Sequence, residues 1–163
     1  MVKVFISHST KDFNLVDVLG RYLEACGIKV YIAERDIQPG TQLSQKIEQN
    51  IENSDYFLVV YTENGKESGF VREEIGFWKG RRNNKNLVPF VEKGINPGAF
   101  LCGVEYIEFD PLNPNIGIVR VKKYIEQQRK MERGQLIVGV GVGLGLVGII
   151  SLVLYGLSKL DDE

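Results

Sequence analysis

The residues whose chemistry stands out are Glu74 and the polar run Ser7-His8-Ser9-Thr10-Lys11-Asp12. On a helix, Glu74 has Phe70, Val71, Phe77 and Trp78 as its three- and four-residue neighbours, all of them apolar. A carboxylate set in such a stripe is partly desolvated or points into a cleft, and either is unusual for a solvated surface. The plainer reading is that Glu74 snorkels to water or pairs with Arg72 or a nearby lysine. Its neighbour Glu73 has Gly69, Phe70, Gly76 and Phe77 in the same places, so the contrast between the two is modest. The run from Ser7 to Asp12 has no glycine and no lysine-serine pair of the phosphate-loop type. Its hydroxyls and backbone N–H groups at a helix start suit a phosphate or a ribose, although Ser9 serves equally well as a helix cap. His8 has no acidic or nucleophilic partner close in sequence, which favours a structural or loop-exposed role. Trp78 reads as a core aromatic, and Lys79 to Lys85 as a solvated basic loop. One histidine and two cysteines are too few for a tetrahedral zinc centre, so no metal site is expected.

These side chains need elements to position them, and the hydrophobic pattern supplies a regular alternation. Val2 to Ser7 reads as a strand, rich in β-branched and aromatic residues. Ser9 and Asp12 suit a helix start, and Leu15, Val16, Leu19, Leu23 and Cys26 share a helical face that ends at Gly27. Lys29 to Ile32 is a second strand, and Ala33 to Gly40 a polar loop ending in Pro39-Gly40. Leu43, Ile47 and Ile51 mark a second helix. Tyr56 to Tyr61 is a third strand without polar alternation, as expected for one covered on both faces. Ser68 to Lys79 is a third helix, Leu87 to Val91 a fourth strand, Glu105 to Phe109 a fifth, and Ile116 to about Glu132 a last helix. Such alternation predicts an α/β fold with a doubly wound parallel sheet and helices on both faces. The flavodoxin-like order 2-1-3-4-5 places the switch point between the first and third strands. Ligands collect at the carboxyl ends of the strands there, which directs attention to the segments after Ile6 and after Tyr61.

Composition bounds the partners. With 20 basic against 21 acidic side chains and a net charge of −1, nucleic acid is not expected as a partner. Cys26 and Cys102 fit a reducing compartment and are expected to pack as small apolar groups. The chain does not open with a basic stretch and an apolar run, so no secretory signal peptide is expected. From Leu136 to Leu157 there is no charged residue. At about 1.5 Å per residue this segment reaches roughly 33 Å, enough to cross a hydrocarbon core. Lys122, Lys123, Arg129, Lys130 and Arg133 precede it, and Lys159, Asp161, Asp162 and Glu163 follow. The positive-inside rule then keeps the N-terminal part in the cytoplasm, giving a single-pass, tail-anchored membrane protein. Gly139, Gly141, Gly143, Gly145 and Gly148 give this segment overlapping small-residue faces suited to helix–helix association in lipid.

Three segments carry a family resemblance. Val4-Phe5-Ile6-Ser7-His8-Ser9 resembles the first signature of Toll/interleukin-1 receptor (TIR) domains, and Arg35-Asp36-Ile37-Gln38-Pro39-Gly40 resembles the second. Ser68-x-Phe70-Val71-x-x-Glu74 is similar to the segment that bears the catalytic glutamate of NAD⁺-cleaving prokaryotic-type members. Phe70 stands where a tryptophan is common, which keeps an aromatic wall and loses an indole N–H. The resemblance spans about residues 1 to 130, with the three segments in order. It implies a TIR domain over residues 1–133, to which the uncharged run adds a transmembrane helix over 134–158 and an acidic tail over 159–163, leaving the domain cytosolic. It also implies that Glu74 is catalytic, that NAD⁺ is the substrate rather than a bound cofactor, and that no cofactor is needed. Phe5, Ser7, Arg35, Asp36, Gly40 and Phe70 would line the nicotinamide–ribose pocket. The activity implied is that of an NAD⁺ nucleosidase, with oxocarbenium-like charge stabilised by the carboxylate as in glycoside cleavage.

The expected setting is innate, antiviral defence, with activation by self-association through the TIR domain and the glycine-rich helix. Two alternatives stay open. One is an enzyme whose product is a cyclic or rearranged ADP-ribose messenger. The other is a non-catalytic adaptor that recruits other TIR or effector proteins in signal transduction.

Overall fold

The computed structural model describes residues 1–36, 43–82 and 85–132; Gly40, the expected membrane helix 134–158 and the tail 159–163 lie outside them. Five strands form one sheet: β1 (Lys3–Ser7), β2 (Lys29–Tyr31), β3 (Tyr56–Tyr61), β4 (Leu87–Glu92) and β5 (Ile107–Phe109). Their order is β2-β1-β3-β4-β5 and every pairing is parallel, as the alternation requires. β3 is buried at every position, which explains why its sequence shows no period of two. The helices are α1 (Phe13–Ala25), α2 (Leu43–Glu52), α3 (Glu63–Glu67), α4 (Gly69–Arg82) and a final one over residues 115–132.

The chain leaves β1 towards β2 in one direction, then steps from β2 to β3 and from β3 to β4 in the other. Right-handed crossovers running in opposite directions put α1 on one face and α2 and α4 on the other. Strand alternation then decides what each side chain meets. Phe5 of β1 and Phe57, Val59 and Tyr61 of β3 join Ile51 of α2 and Val71, Ile75 and Trp78 of α4 in one buried cluster. Phe5 stacks between Tyr31 and Phe57, each at 5.5 Å between ring centres, and Phe57 stacks on Trp78 at 5.3 Å. Ser7 follows Phe5 on the same face of β1, and so looks towards α4.

Three further contacts shape the loops. Asp12 lies in the 3-10 turn that precedes α1 and accepts hydrogen bonds from Thr62 Oγ1 at 2.6 Å and Asn64 Nδ2 at 2.8 Å. One carboxylate therefore ties the segment after β1 to the segment after β3. Thr62 also caps α3 by accepting from the Gly65 amide at 3.0 Å. The sequence of α3, Glu-Asn-Gly-Lys-Glu, has no apolar period and reads only as a polar loop. In the final helix, a Cβ on Gly117 would come within 2.7 Å of both Phe90 and Phe109, whose rings stack at 4.2 Å. Glycine is what lets that helix lie against β4 and β5.

Met1–Lys122 forms one unit and a second starts at Lys123, with residues 123–132 helical. Among the described residues no helix is long and apolar enough to cross a membrane. Cys26 and Cys102, expected to be packed, are exposed free thiols. Cys26 closes α1 where its buried face has already ended at Leu23, and Cys102 closes a short 3-10 turn.

Candidate functional site

At the carboxyl ends of β1 and β3 the loops part, and a cleft of about 600 Å³ opens between the end of β1, the turn after β2, α2 and α4. Glu74 reaches it because α4 is anchored on either side: Val71, Ile75 and Trp78 are buried, and Ser68 Oγ accepts from the Val71 amide at 3.4 Å near the helix start. Glu74 is left half-buried beside them, and the Ser7 hydroxyl donates to its Oε2 at 2.5 Å. Burial raises the Glu74 pKa to about 7. The Ser7 hydrogen bond and the His8 charge pull it down, and Glu34 and Glu73 push it up further, all more weakly than burial. Glu73, one position earlier, is exposed. The contrast between the two glutamates is sharper than their neighbours in sequence suggest, because one turns to the sheet and the other to water.

His8 is the next residue after Ser7 and is 8% exposed. Its Nδ1 lies 3.3 Å from the Ile6 carbonyl and its Nε2 lies 3.1 Å from Glu34 Oε2. The second contact is an ion-pair approach that falls short of a directed hydrogen bond. A neutral imidazole has one N–H to offer two acceptors, so this setting calls for the doubly protonated ring. Burial opposes that charge, yet Glu34, with the Ile6 carbonyl and Glu74 adding to it, outweighs burial and raises the His8 pKa. Burial likewise works to raise the Glu34 pKa, and the His8 contact overcomes it, leaving that pKa lowered. Each of the two thus favours the charged form of the other on the cleft wall.

Of the residues singled out in sequence, Phe5, Ser7, Phe70 and Glu74 come together here. Phe5 forms part of the cleft floor, and Phe70 stands at its mouth, 74% exposed. Arg35 and Asp36 do not join them. The Arg35 guanidinium turns to α1, where it bonds Asp17 Oδ1 at 2.9 Å and Glu24 Oε1 at 3.0 Å, and Asp36 pairs with Lys46 at 2.8 Å. Gly40 lies outside the described residues. Glu34, and its pairing with His8, are what the linear sequence does not reveal. A signal for them does exist, since β1 and β2 run in register with Phe5 beside Tyr31. Continued past both strand ends, that register brings His8 level with Glu34.

A family model described as the TIR domain matches residues 4–115. No curated protein matches the chain in sequence. Among solved structures, the TIR domain of the Toll-related receptor TRR-2 from Hydra magnipapillata is 20% identical with a TM-score of 0.62, over 79% of this chain and 97% of that one. The TIR domains of the activated Roq1 resistosome, which directly recognizes the pathogen effector XopQ, are 22% identical with a TM-score of 0.51, over 57% of this chain and 58% of that one. The CMP N-glycosidase BcmB of Clostridium botulinum is 18% identical with a TM-score of 0.58, over 75% of this chain and 98% of that one. At these identities the likeness is one of fold.

Proposed function

The chain belongs to the TIR domain family, and from that premise we propose that it cleaves the nicotinamide–ribose bond of NAD⁺, with Glu74 as the catalytic carboxylate. The observation that carries this reading is a half-buried glutamate, fixed by Ser7 and with its pKa raised to about 7, in a cleft at the sheet's switch point. When the C1′–N bond breaks, both electrons leave with nicotinamide and the ribosyl group becomes oxocarbenium-like. A carboxylate in a partly desolvated wall stabilises that charge far better than one in water. Water then adds to C1′ and its proton passes to solvent. A cationic pyridinium in the cleft favours the ionised form of Glu74, so binding prepares the group for its task. Phe5 and Phe70 would flank the ring and ribose, and Ser7 would hold the carboxylate in place. A fold neighbour described as an N-glycosidase is consistent with this type of bond cleavage on this scaffold.

The sequence extends the proposal to the cell. Residues 134–158 would hold the domain at the cytoplasmic side of a membrane, and their glycine faces would draw copies together. Self-association would then activate an immune effector, a setting in keeping with the resistosome neighbour. The test is nicotinamide release from NAD⁺ by the purified full chain in liposomes, followed by chromatography. Release is expected from the wild type and not from Glu74→Ala. A silent wild type under crowded conditions sinks the enzyme reading in favour of an adaptor. Separation of linear from cyclic ADP-ribose distinguishes hydrolysis from cyclisation.

A further inference from the structure

The basic run from Lys79 to Lys85 has no part in the cleft. It closes α4 and leads into β4, so it stands at the amino ends of the strands, while the cleft opens at their carboxyl ends. From Ile75 to Val91 there is no acidic residue, and Arg81, Arg82 and Lys85 are exposed. The two guanidiniums are backed by aromatic rings, Arg81 at 5.1 Å from the centre of Phe77 and Arg82 at 4.9 Å from that of Trp78. Lys3 and Lys29, which open β1 and β2, are exposed at the same end. The exposed acids there are Glu52, Asp55 and Glu105, while Glu24, near the end of α1, is bound to Arg35. Glu52 meets Arg81 at 3.0 Å with side chains 43% and 61% exposed, a pair weak enough for another anion to replace. Basic side chains in a last turn offset the helix dipole, which accounts for Arg81 and Arg82. Lys3, Lys29 and Lys85 lie in no helix, so the positive excess belongs to this end of the sheet as a whole.

The chain leaves the sheet towards this same end. Gly117 lies over Phe109, the last residue of β5, and Ile118 and Val121 after it are buried. They can be covered only further back along the strands, so the chain departs heading for the amino ends. The helical residues 123–132 cover about 15 Å. After them only Arg133-Gly134-Gln135 precede the uncharged run. We infer that the basic end of α4, with Lys3 and Lys29, docks on the anionic headgroups of the bilayer that anchors the chain, which turns the cleft at the other end of the sheet to the cytoplasm. This rests on the reading of residues 134–158 as a membrane span. Each basic side chain brought to an anionic surface favours the docked state by about fivefold. An acidic protein segment could meet the same charges, but the short tether keeps a lipid surface within reach at high effective concentration.

Trp78 is the only tryptophan of the chain and lies beneath Arg82, so energy transfer from it to a dansyl-labelled headgroup reads how near this end comes to the surface. The full chain is reconstituted in phosphatidylcholine vesicles with or without about 30% phosphatidylserine, at about 0.05 M and about 0.5 M salt. Transfer should be higher with phosphatidylserine at low salt and return to the phosphatidylcholine level at high salt. Arg81→Gln with Lys85→Gln, which keeps Arg82 over Trp78, should weaken docking roughly 25-fold and abolish the gain. Lys66→Gln with Lys93→Gln, the same loss of charge at the carboxyl ends of the strands, should leave the gain in place. Equal transfer in the two kinds of vesicle overturns the inference, as does equal loss in the two double variants. A gain that appears without phosphatidylserine and grows with protein per lipid assigns this end to another copy of the chain, and overturns it too. Flotation with phosphatidylcholine vesicles reports the span by itself, and a chain that stays out of them has no anchor. Docking is then read from flotation with phosphatidylserine vesicles at low salt, where binding lost in Arg81→Gln with Lys85→Gln upholds the basic face and no binding sinks it.

Discussion

Glu34 and Arg35 are consecutive in one 3-10 turn, Ala33–Asp36, yet their charged ends serve different places. Glu34 faces the cleft and meets a His8 side chain that is 3% exposed. Arg35 crosses to α1, where it meets Asp17 and Glu24 at side-chain exposures of 23% and 42%. Both are networks of opposite charges at about the same distances. They differ in access to water, and that difference decides what each can do. On the α1 side the bonds from Arg35, and then from Arg21, lower the Asp17 pKa, so the charges there are fixed at neutral pH. In the cleft burial opposes charge, and Glu74 titrates near pH 7. The first network secures a turn, while the second holds a group whose ionisation changes where cells live.

The largest expected effect separates the two networks by activity. Glu74→Gln should lower nicotinamide release by roughly 100- to 1,000-fold, the range typical of losing one charge-stabilising group. Arg35→Met should leave turnover within about threefold, since it removes ion pairs to Asp17 and Glu24 on the α1 side, away from the cleft. Steady-state rates at pH 8 check both, and a Glu74→Gln enzyme retaining a tenth of wild-type activity would falsify the assignment of that residue.

Next in size is a shift along the pH axis. Activity that needs ionised Glu74 should rise through about pH 7 and level off above it. His8 lowers the Glu74 pKa, so His8→Gln should move the midpoint to higher pH, by up to about one unit if the interaction is of ordinary strength. A midpoint that stays put, or moves to lower pH, removes His8 from the electrostatics of the site.

Stability distinguishes the regions in the opposite sense. A Cβ on Gly20 would lie 2.8 Å from Ile32 Cδ1 and 3.1 Å from the Arg35 guanidinium. Gly20→Ala should therefore cost about 1–2 kcal/mol by overpacking, measured by denaturant unfolding, while leaving the pH midpoint of activity unchanged. A midpoint that moved with it would mean the two sides are coupled.

The smallest effect is in the pH dependence of melting. His8 and Glu74 both hold protons more tightly in the folded chain. Their contribution is complete below the unfolded values and is lost as pH rises, through about 7 in the case of Glu74. Asp17 holds its proton less tightly, so its contribution is present above the unfolded value and is lost as pH falls through the lowered one. Glu74→Gln should thus flatten the fall in Tm between about pH 4.5 and 7, and Asp17→Asn should flatten the fall below about pH 4. Thermal melts across that range check the pair, and parallel curves for the two variants would dissolve the distinction.

Most of the sheet was legible because its signals are local. β3 shows itself as an unbroken apolar run, and Glu74 as a carboxylate among apolar neighbours. Alternation pointed to a doubly wound parallel sheet, and its order is the flavodoxin-like one expected. What escaped depended on partners distant in the chain. His8 finds its counter-charge in Glu34, on the next strand's loop, which only the β1–β2 register reveals. Arg35 was placed with the pocket by the family resemblance of its segment, but the missing Cβ of Gly20 leaves a recess on α1 flanked by Asp17 and Glu24, and the guanidinium lies there instead. Gly20 with an acid on either side along α1 was the local sign of that recess. α3 escaped because its helix is held by Thr62 and Asp12 rather than by an apolar face.

The Asp12 carboxylate, which takes Thr62 and Asn64 together, has a mechanical consequence. It makes the segments after β1 and β3 a single lintel over one side of the opening, so that the two move as one piece. Amides around Asp12 and Gly65 should exchange with solvent more slowly than those around Glu34, and a bulky ligand should disturb the second set first.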